Sequence, residues 1–215
     1  MTNQKITTLT QKQIDSIKAR IAATPDIPAG KGTREAACSM ASINLALTGE
    51  LTDEIPECMS EVIGDWIILI QDSMPSEMRN SPRWRSLLPL AAGTGRRHEK
   101  ERCDMILAWM WETVLPTVQP VADKHGFGDE WRKMCAKKTP SAANAANYAA
   151  NYAANAATAA KAATAANAAS YAADYAANYA ANAASYAADA ANENYWQTVD
   201  PCGLLEKLIN VSEAA

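Results

Sequence analysis

Apolar residues along the first 140 positions recur at helical spacing and almost never alternate, a pattern that predicts an all-α chain. Ile14, Ile17 and Ile21 make one stripe of a helix that Thr10 can cap and that Pro25 and Pro28 terminate. Met40, Ile43, Ala46 and Leu47 form the inward face of a second helix, expected from Arg34 to Thr48 with Gly49 as its stop. A third is expected from Pro56, a residue suited to a first helical position, and carries Val62, Ile63, Trp66, Ile67 and Ile70. Ser81-Pro82 repeats the cap-then-proline start ahead of Trp84, Leu87 and Leu88. From Arg96 to Asp123 the chain begins highly charged and turns apolar on all sides between Met105 and Leu115. This predicts a central buried helix that Pro116 and Pro120 kink or end. Asp129 to Lys138, with Trp131 and Met134, is the last helix of this part.

After Thr139-Pro140 the pattern changes character. Between Ser141 and Asn192, 30 of 52 residues are Ala, with Asn, Tyr, Ser and Thr at intervals of three or four and no Gly or Pro. Alanine has the highest helix propensity, and threes alternating with fours make a helical stripe. The run of triplets from Asn155 to Ser170 turns that stripe, leaving Asp174 to Asn192 rotated by roughly 200°. A single helix of this length would extend ~78 Å. The tract therefore predicts either a projecting rod or an antiparallel hairpin turning near Thr158 to Thr164. Tyr148, Tyr152, Tyr171, Tyr175, Tyr179 and Tyr186 flank the polar stripe, where their rings can pack beside an Ala seam with wet hydroxyls, and are the candidate interaction surface. The domain reading is a helical body at 1–140, the Ala/Asn/Tyr-rich repeat at 141–196, and a C-terminal amphipathic helix at 197–215, with Leu204, Leu205, Leu208 and Ile209, packing back.

Charge refines this picture. The net charge of -4 arises wholly after residue 140, and the body is balanced but polarised. Glu50 to Glu77 holds eight acids and no base, whereas Arg79 to Arg102 holds seven bases and two acids. These blocks can pair with each other or face different partners. The N-terminal residues are polar, the run Trp66 to Ile70 is too short to span a bilayer, and five scattered cysteines form no CxxC pair. The expectation is a cytoplasmic protein, in a bacterial or phage-infected cell, with reduced thiols and no membrane association.

Candidate chemistry is sparse. Ala29-Gly30-Lys31-Gly32-Thr33 resembles the end of a phosphate-binding loop, but Pro25 stands where such a loop needs its first Gly and a polar helix precedes it. The weaker expectation is an anion held by backbone amides at a helix start, with Lys31, Thr33 and Arg34 beside them. Arg96, Arg97 and His98, with Lys100 and Arg102, open a second helix with positive charge and also invite an anion; Arg79 completes the candidate set. Neither His98 nor His125 sits at zinc-ligand spacing, Cys38 has no recognisable base, and Glu57, Glu61 and Asp65 lack the histidines of carboxylate-bridged metal bundles. No catalytic residue, metal or cofactor is expected, and no direct DNA binding.

The tract AANAANYAANYAANAATAAKAATAANAASYAADYAANYAANAASYAADAA with its Leu-rich end DPCGLLEKLI, within residues 96–211, is similar to the alanine-rich immunity proteins of bacterial polymorphic toxin systems. Residues 30–115, notably GKGTREAACSMASINLALTGELTDEIPECMSEVIGDWIILIQDSMP, resemble an uncharacterised segment of phage and prophage proteins. The first resemblance implies inhibition by binding, without catalysis. This chain departs from many such proteins in carrying more Asn than charge in its repeat. The leading expectation is a non-enzymatic protein that sequesters or inhibits a partner, a toxin or a defence protein, and that forms homo-oligomers. The alternatives are a sponge for a small anionic nucleotide, held by Lys31, Arg34, Arg79, Arg96, Arg97 and His98, and a structural oligomerisation module. Ice binding would require more Thr than Thr158 and Thr164 on a flat face.

Overall fold

The computed structural model describes residues 8–152, 157–171, 176–191 and 194–211, and over them the chain is all-α with no strand. The helices are α1 (Gln11–Ala23), α2 (Ser39–Leu47), α3 (Glu61–Ser73), α4 (Ser76–Arg79), α5 (Pro82–Ala91), α6 (Glu99–Trp109), α7 (Gln119–Lys124), α8 (Gly128–Lys137), α9 (Pro140–Tyr152), α10 (Ala157–Tyr171), α11 (Ala176–Ala190), α12 (Tyr195–Val199) and α13 (Pro201–Ile209). The chain divides into two compact units, Met1–Arg102 with Cys202–Ala215, and Cys103–Pro201. The first cut falls inside α6, away from residue 140 where the composition changes.

In the first unit, helix starts signalled by neighbouring residues lie where the sequence places them. Thr10 Oγ1 accepts the Gln13 N–H at 3.4 Å while Gln13 Oε1 accepts the Thr10 N–H at 2.9 Å, a reciprocal capping box. Ser81 Oγ accepts the Trp84 N–H at 3.2 Å just ahead of Pro82. Two other starts lie further along. Helix α2 begins at Ser39 rather than Arg34, because residues 32–37 close a turn in which Thr33 N–H donates to Ala36 O and Cys38 N–H to Lys31 O, both at 3.0 Å. Gly32 sits there at φ +75°, and a Cβ on it would lie 2.1 Å from the Ala36 oxygen, so this turn requires glycine. Helix α3 begins at Glu61, capped by Ser60 Oγ on the Ile63 N–H at 3.1 Å, whereas Pro56 only supplies the carbonyl of a turn closed by Met59. Ile17, Ile43, Ile63, Trp66, Ile67, Ile70, Trp84 and Leu88 are fully buried, and Leu205 and Leu208 of α13 are buried in the same unit.

In the second unit the proline-rich segment changes helical type instead of breaking. Pro116 has no N–H for the Glu112 carbonyl and its ring crowds that oxygen. The chain widens to a π turn over Met110–Val114, with Leu115 N–H reaching back to Met110 O, and then tightens to a 3-10 turn over Leu115–Val118. Buried indoles find carbonyls there: Trp109 Nε1 donates to Val199 O at 2.7 Å and Trp131 Nε1 to Leu115 O at 2.8 Å. Lys138, left-handed at φ 52°, ends α8, and Thr139 Oγ1 accepts the Ala142 N–H at 3.3 Å to start α9.

The alanine tract is neither the rod nor the two-helix hairpin. Helix α10 packs against both α9 and α11, so the tract doubles back twice, and Thr158 to Thr164, where a hairpin turn was expected, lie inside α10. Lys161 Nζ lies 3.4 Å from Asp189 Oδ2, and the Tyr171 and Tyr179 rings are 5.4 Å apart, which makes α10 and α11 antiparallel. Ala159, Ala162, Ala165, Ala166 and Ala169 of α10 are fully buried, as are Ala180, Ala181, Ala183, Ala184 and Ala187 of α11. Each methyl adds on the order of 0.8 kcal/mol, so the contact is broad and regular.

Candidate functional site

The triplet spacing turns the polar stripe of α10 until Ser170 enters the interior, 6% exposed, where its hydroxyl donates to Asn167 O at 2.7 Å. Tyr171 then takes the exposed place on that face. The remaining stripe, Lys161, Thr164, Asn167 and Tyr171, adjoins Tyr179, Asn182, Tyr186 and Asp189 of α11. Between them runs a groove of about 370 Å3 lined by Thr164, Asn167, Ala168, Tyr171, Tyr179, Asn182 and Tyr186. The two helices contribute polar or aromatic side chains at the same i, i+3, i+7 spacing, which places three on one helix face within about 10 Å of axis.

The chemistry of the groove is uniform. Its lining includes no Asp, Glu, Lys, Arg or His. Tyr171 and Tyr179 pack with ring centroids 5.4 Å apart and an interplanar angle of 35°, within the centroid range that aromatic pairs prefer. Tyr171 and Tyr186 remain 48% and 40% exposed. Thr164 donates its hydroxyl to Ala160 O at 3.0 Å and keeps its lone pairs for an acceptor role. Among the described residues the side-chain amides of Asn167 and Asn182 have no hydrogen-bond partner, so each offers two donors and an acceptor to an incoming group. The Lys161–Asp189 pair stands one turn beyond the Thr164 end.

Of the tyrosines singled out from sequence, Tyr171, Tyr179 and Tyr186 therefore converge on one groove. Tyr148 lies on α9, 77% exposed and outside the groove lining, while Tyr175 and the side chain of Tyr152 lie outside the described residues. Sequence reasoning missed Thr164, Asn167 and Asn182 as members. The repeated i, i+3, i+7 spacing of polar residues on both helices was the available signal.

Several of the candidate basic residues are engaged by carbonyls or carboxylates. Arg79 is 9% exposed and its guanidinium is held by backbone carbonyls, from Nε to Ile27 O at 2.7 Å and from Nη1 to Met74 O at 2.8 Å and Gln71 O at 3.1 Å. Arg102, 2% exposed, does the same with Leu208 O, Gly95 O and Arg97 O, and burial pulls its pKa below the usual arginine value. Arg85 Nη1 donates to Ile21 O and Thr24 O at the end of α1. Arg96 pairs with Glu61 at 3.1 Å and Glu57 at 3.9 Å, so the acidic and basic blocks meet each other there. Arg97 is exposed and lends its carbonyl to Arg102; His98, at φ 61°, lies 3.9 Å from Glu101. Helix α6 starts at Glu99, after these residues, so its first turn carries Glu99 and Glu101, the sign its dipole favours. Glu99 accepts the Ser60 hydroxyl at 2.5 Å and the Glu61 N–H at 2.9 Å.

The glycine loop has its own internal anion. Gly30 N–H donates to Asp72 Oδ1 at 2.7 Å, Thr33 donates its hydroxyl to Glu35 at 3.0 Å, and the Arg34 carbonyl accepts from Arg20. With α2 starting at Ser39, whose N–H donates to Gln71 Oε1 at 2.8 Å, no helix N-terminus opens beside Lys31 and Arg34. Lys31 lines a cleft of about 20 Å3, room for one water, together with Cys38, Asp53, Gln71 and Asp72. Burial raises the Cys38 thiol pKa, and its Sγ caps α2 by accepting the Ala41 N–H at 3.3 Å. None of the five cysteines is joined in a disulfide. Among the described residues no group of three or more His, Cys, Asp or Glu side chains could hold a metal ion, and no helix is long and apolar enough to cross a membrane. Comparison with protein-family models, with curated proteins and with solved structures finds no match for this chain.

Proposed function

We propose that this chain is a non-catalytic interaction protein that sequesters or inhibits a protein partner, in the toxin-immunity or phage-defence setting implied by the resemblance of its repeat. The observation that carries the reading is the uncharged groove between α10 and α11, where Tyr171, Tyr179 and Tyr186 stand beside Asn167, Asn182 and Thr164 on a close-packed alanine scaffold. Tyrosine supplies a large amphipathic contact with few rotatable bonds, and Asn and Thr supply adaptable hydrogen bonds; this is the side-chain mixture of protein-binding paratopes. Helices already packed through buried Ala beneath it lower the ordering cost of binding. The nucleotide-sponge reading has less support, since Arg79 is enclosed by carbonyls and Arg96 is engaged by Glu57 and Glu61.

A photo-reactive phenylalanine analogue placed at Tyr186, and as a control at exposed Lys18, tests this in toxin-expressing or phage-infected bacteria. The reading expects a discrete protein adduct from position 186 and none from position 18. Equal labelling at both positions, or adducts only between copies of this chain, would replace it with non-specific contact or self-assembly respectively.

A further inference from the structure

We propose that the α10–α11 groove recognises the main chain of an uncharged, extended segment of its partner, about three residues long. This rests on the reading above that the partner is a protein. The groove runs from Thr164 and Tyr186 at one end to Tyr171 and Tyr179 at the other, seven residues of helix or about 10 Å. Three extended residues rise about 10 Å, so such a segment spans the groove once.

The middle of the groove holds Asn167 and Asn182. A carboxamide has the same donor and acceptor pair as a peptide group, so each can take one carbonyl and one N–H of a passing main chain. Both amides lack partners among the described residues, which leaves that capacity open. The ends are aromatic, with Tyr171 and Tyr186 exposed, and Tyr171 and Tyr179, their rings 5.4 Å apart, leave no slot for a flat ring between them. The exposed faces of Tyr171 and Tyr186 suit aliphatic, proline or aromatic side chains. Phosphorylated or carboxylate-bearing ligands find no counter-charge in the lining, and the nearby Lys161 is already paired with Asp189. Peptide recognition by main-chain hydrogen bonds, with side-chain pockets at alternate positions, is an established binding mode, here supplied by side-chain amides instead of a sheet edge.

Panning a phage-displayed random heptapeptide library on the full chain tests this. The expected result is enrichment of peptides with an uncharged core of about three residues flanked by apolar side chains. Their binding, followed by fluorescence polarisation, should weaken about tenfold or more in Tyr179→Ala and in Asn182→Ala, and also when the central peptide nitrogen is methylated. It should hold in Tyr148→Ala and change less than about twofold between 50 and 500 mM salt, since no ion pair is screened. Thr164→Glu, at an exposed position that leaves packing intact, keeps the test valid if Tyr179→Ala unfolds, and should also abolish binding. No enriched peptide, enrichment of charged cores, or indifference to N-methylation would overturn the proposal. A native partner that persists in Asn182→Ala overturns this inference alone; loss of any protein partner from the wild type overturns the reading beneath it as well.

Discussion

Replacing Arg79 by methionine separates a structural guanidinium from a ligand-binding one. Methionine keeps most of the apolar stem and removes the donors that reach Ile27 O, Met74 O and Gln71 O at 2.7, 2.8 and 3.1 Å. A hydrogen bond with a charged partner contributes about 1.5–3 kcal/mol, but the three share one group and water can enter to solvate the released carbonyls. The expected loss is therefore about 3–4 kcal/mol, below the simple sum and in the range for breaking buried charged contacts. With a urea dependence of about 2 kcal/mol per molar, the unfolding midpoint of the first unit falls by about 1.5–2 M. Trp66 and Trp84, fully buried with rings 6.3 Å apart, report the transition by fluorescence. Arg79→Lys should recover only part of the loss, because one ammonium cannot span three carbonyls as a planar fork does. Calorimetric titration with ATP or inorganic phosphate should show no binding in either wild type or variant. A variant within about 0.5 kcal/mol of wild type, or phosphate binding that disappears with Arg79, would refute this assignment.

Asp65 is half-buried beside Glu61 and Glu99, and burial first, then those carboxylates, raises its pKa. A carboxylate raised in the folded state weakens the fold as pH climbs from about 4, its unfolded value, through the folded value. Asp65→Asn should therefore stabilise the protein at pH 7 in thermal melts, with the gain vanishing below about pH 4. Burial pushes the Cys135 thiol up to about 11, so a thiolate-selective reagent should leave it unmodified at pH 8 in peptide mass maps and modify it only as pH approaches that value. Gly64→Ala would place a Cβ 2.6 Å from the Ile55 side chain; overpacking of this kind costs about 1–3 kcal/mol, measurable as a lowered urea midpoint.

Much of the fold was legible because its signals are local. Thr10 with Gln13, Ser81 with Pro82, and Thr139 with Pro140 each bring the cap and the first turn together within a few residues. The start of α2 was misplaced in part for a non-local reason: besides the local turn closed by Thr33 and Cys38, Asp72 and Gln71, more than thirty positions away, hold the amides of Gly30 in the loop and Ser39 at the first position of the helix. The same distance in sequence hid the role of the arginines. Spacing shows that Arg79, Arg96 and Arg102 are basic, but only the fold shows that carbonyls of Ile27 and Leu208, or the carboxylate of Glu61, already face them. In the alanine tract, helicity and the rotating stripe were readable from the triplets, and tyrosines at its margin followed. The pairing of α10 with α11 was not readable, because nearly identical Ala/Asn repeats allow several registers until the whole unit packs. The groove exists only once Tyr171 and Tyr179 meet across that pairing.

Native mass spectrometry of the protein purified gently from toxin-expressing or phage-infected bacteria, as wild type, as Asn182→Trp and as Arg96→Ala/Arg97→Ala, tests the central claim most directly. Tryptophan at 182 fills the groove from its half-exposed middle, whereas the arginine changes leave it untouched. The account predicts a stoichiometric protein partner on the wild type and on the double-arginine variant, lost from Asn182→Trp. A partner retained by Asn182→Trp, or a small anionic adduct that disappears with Arg96 and Arg97, would contradict it.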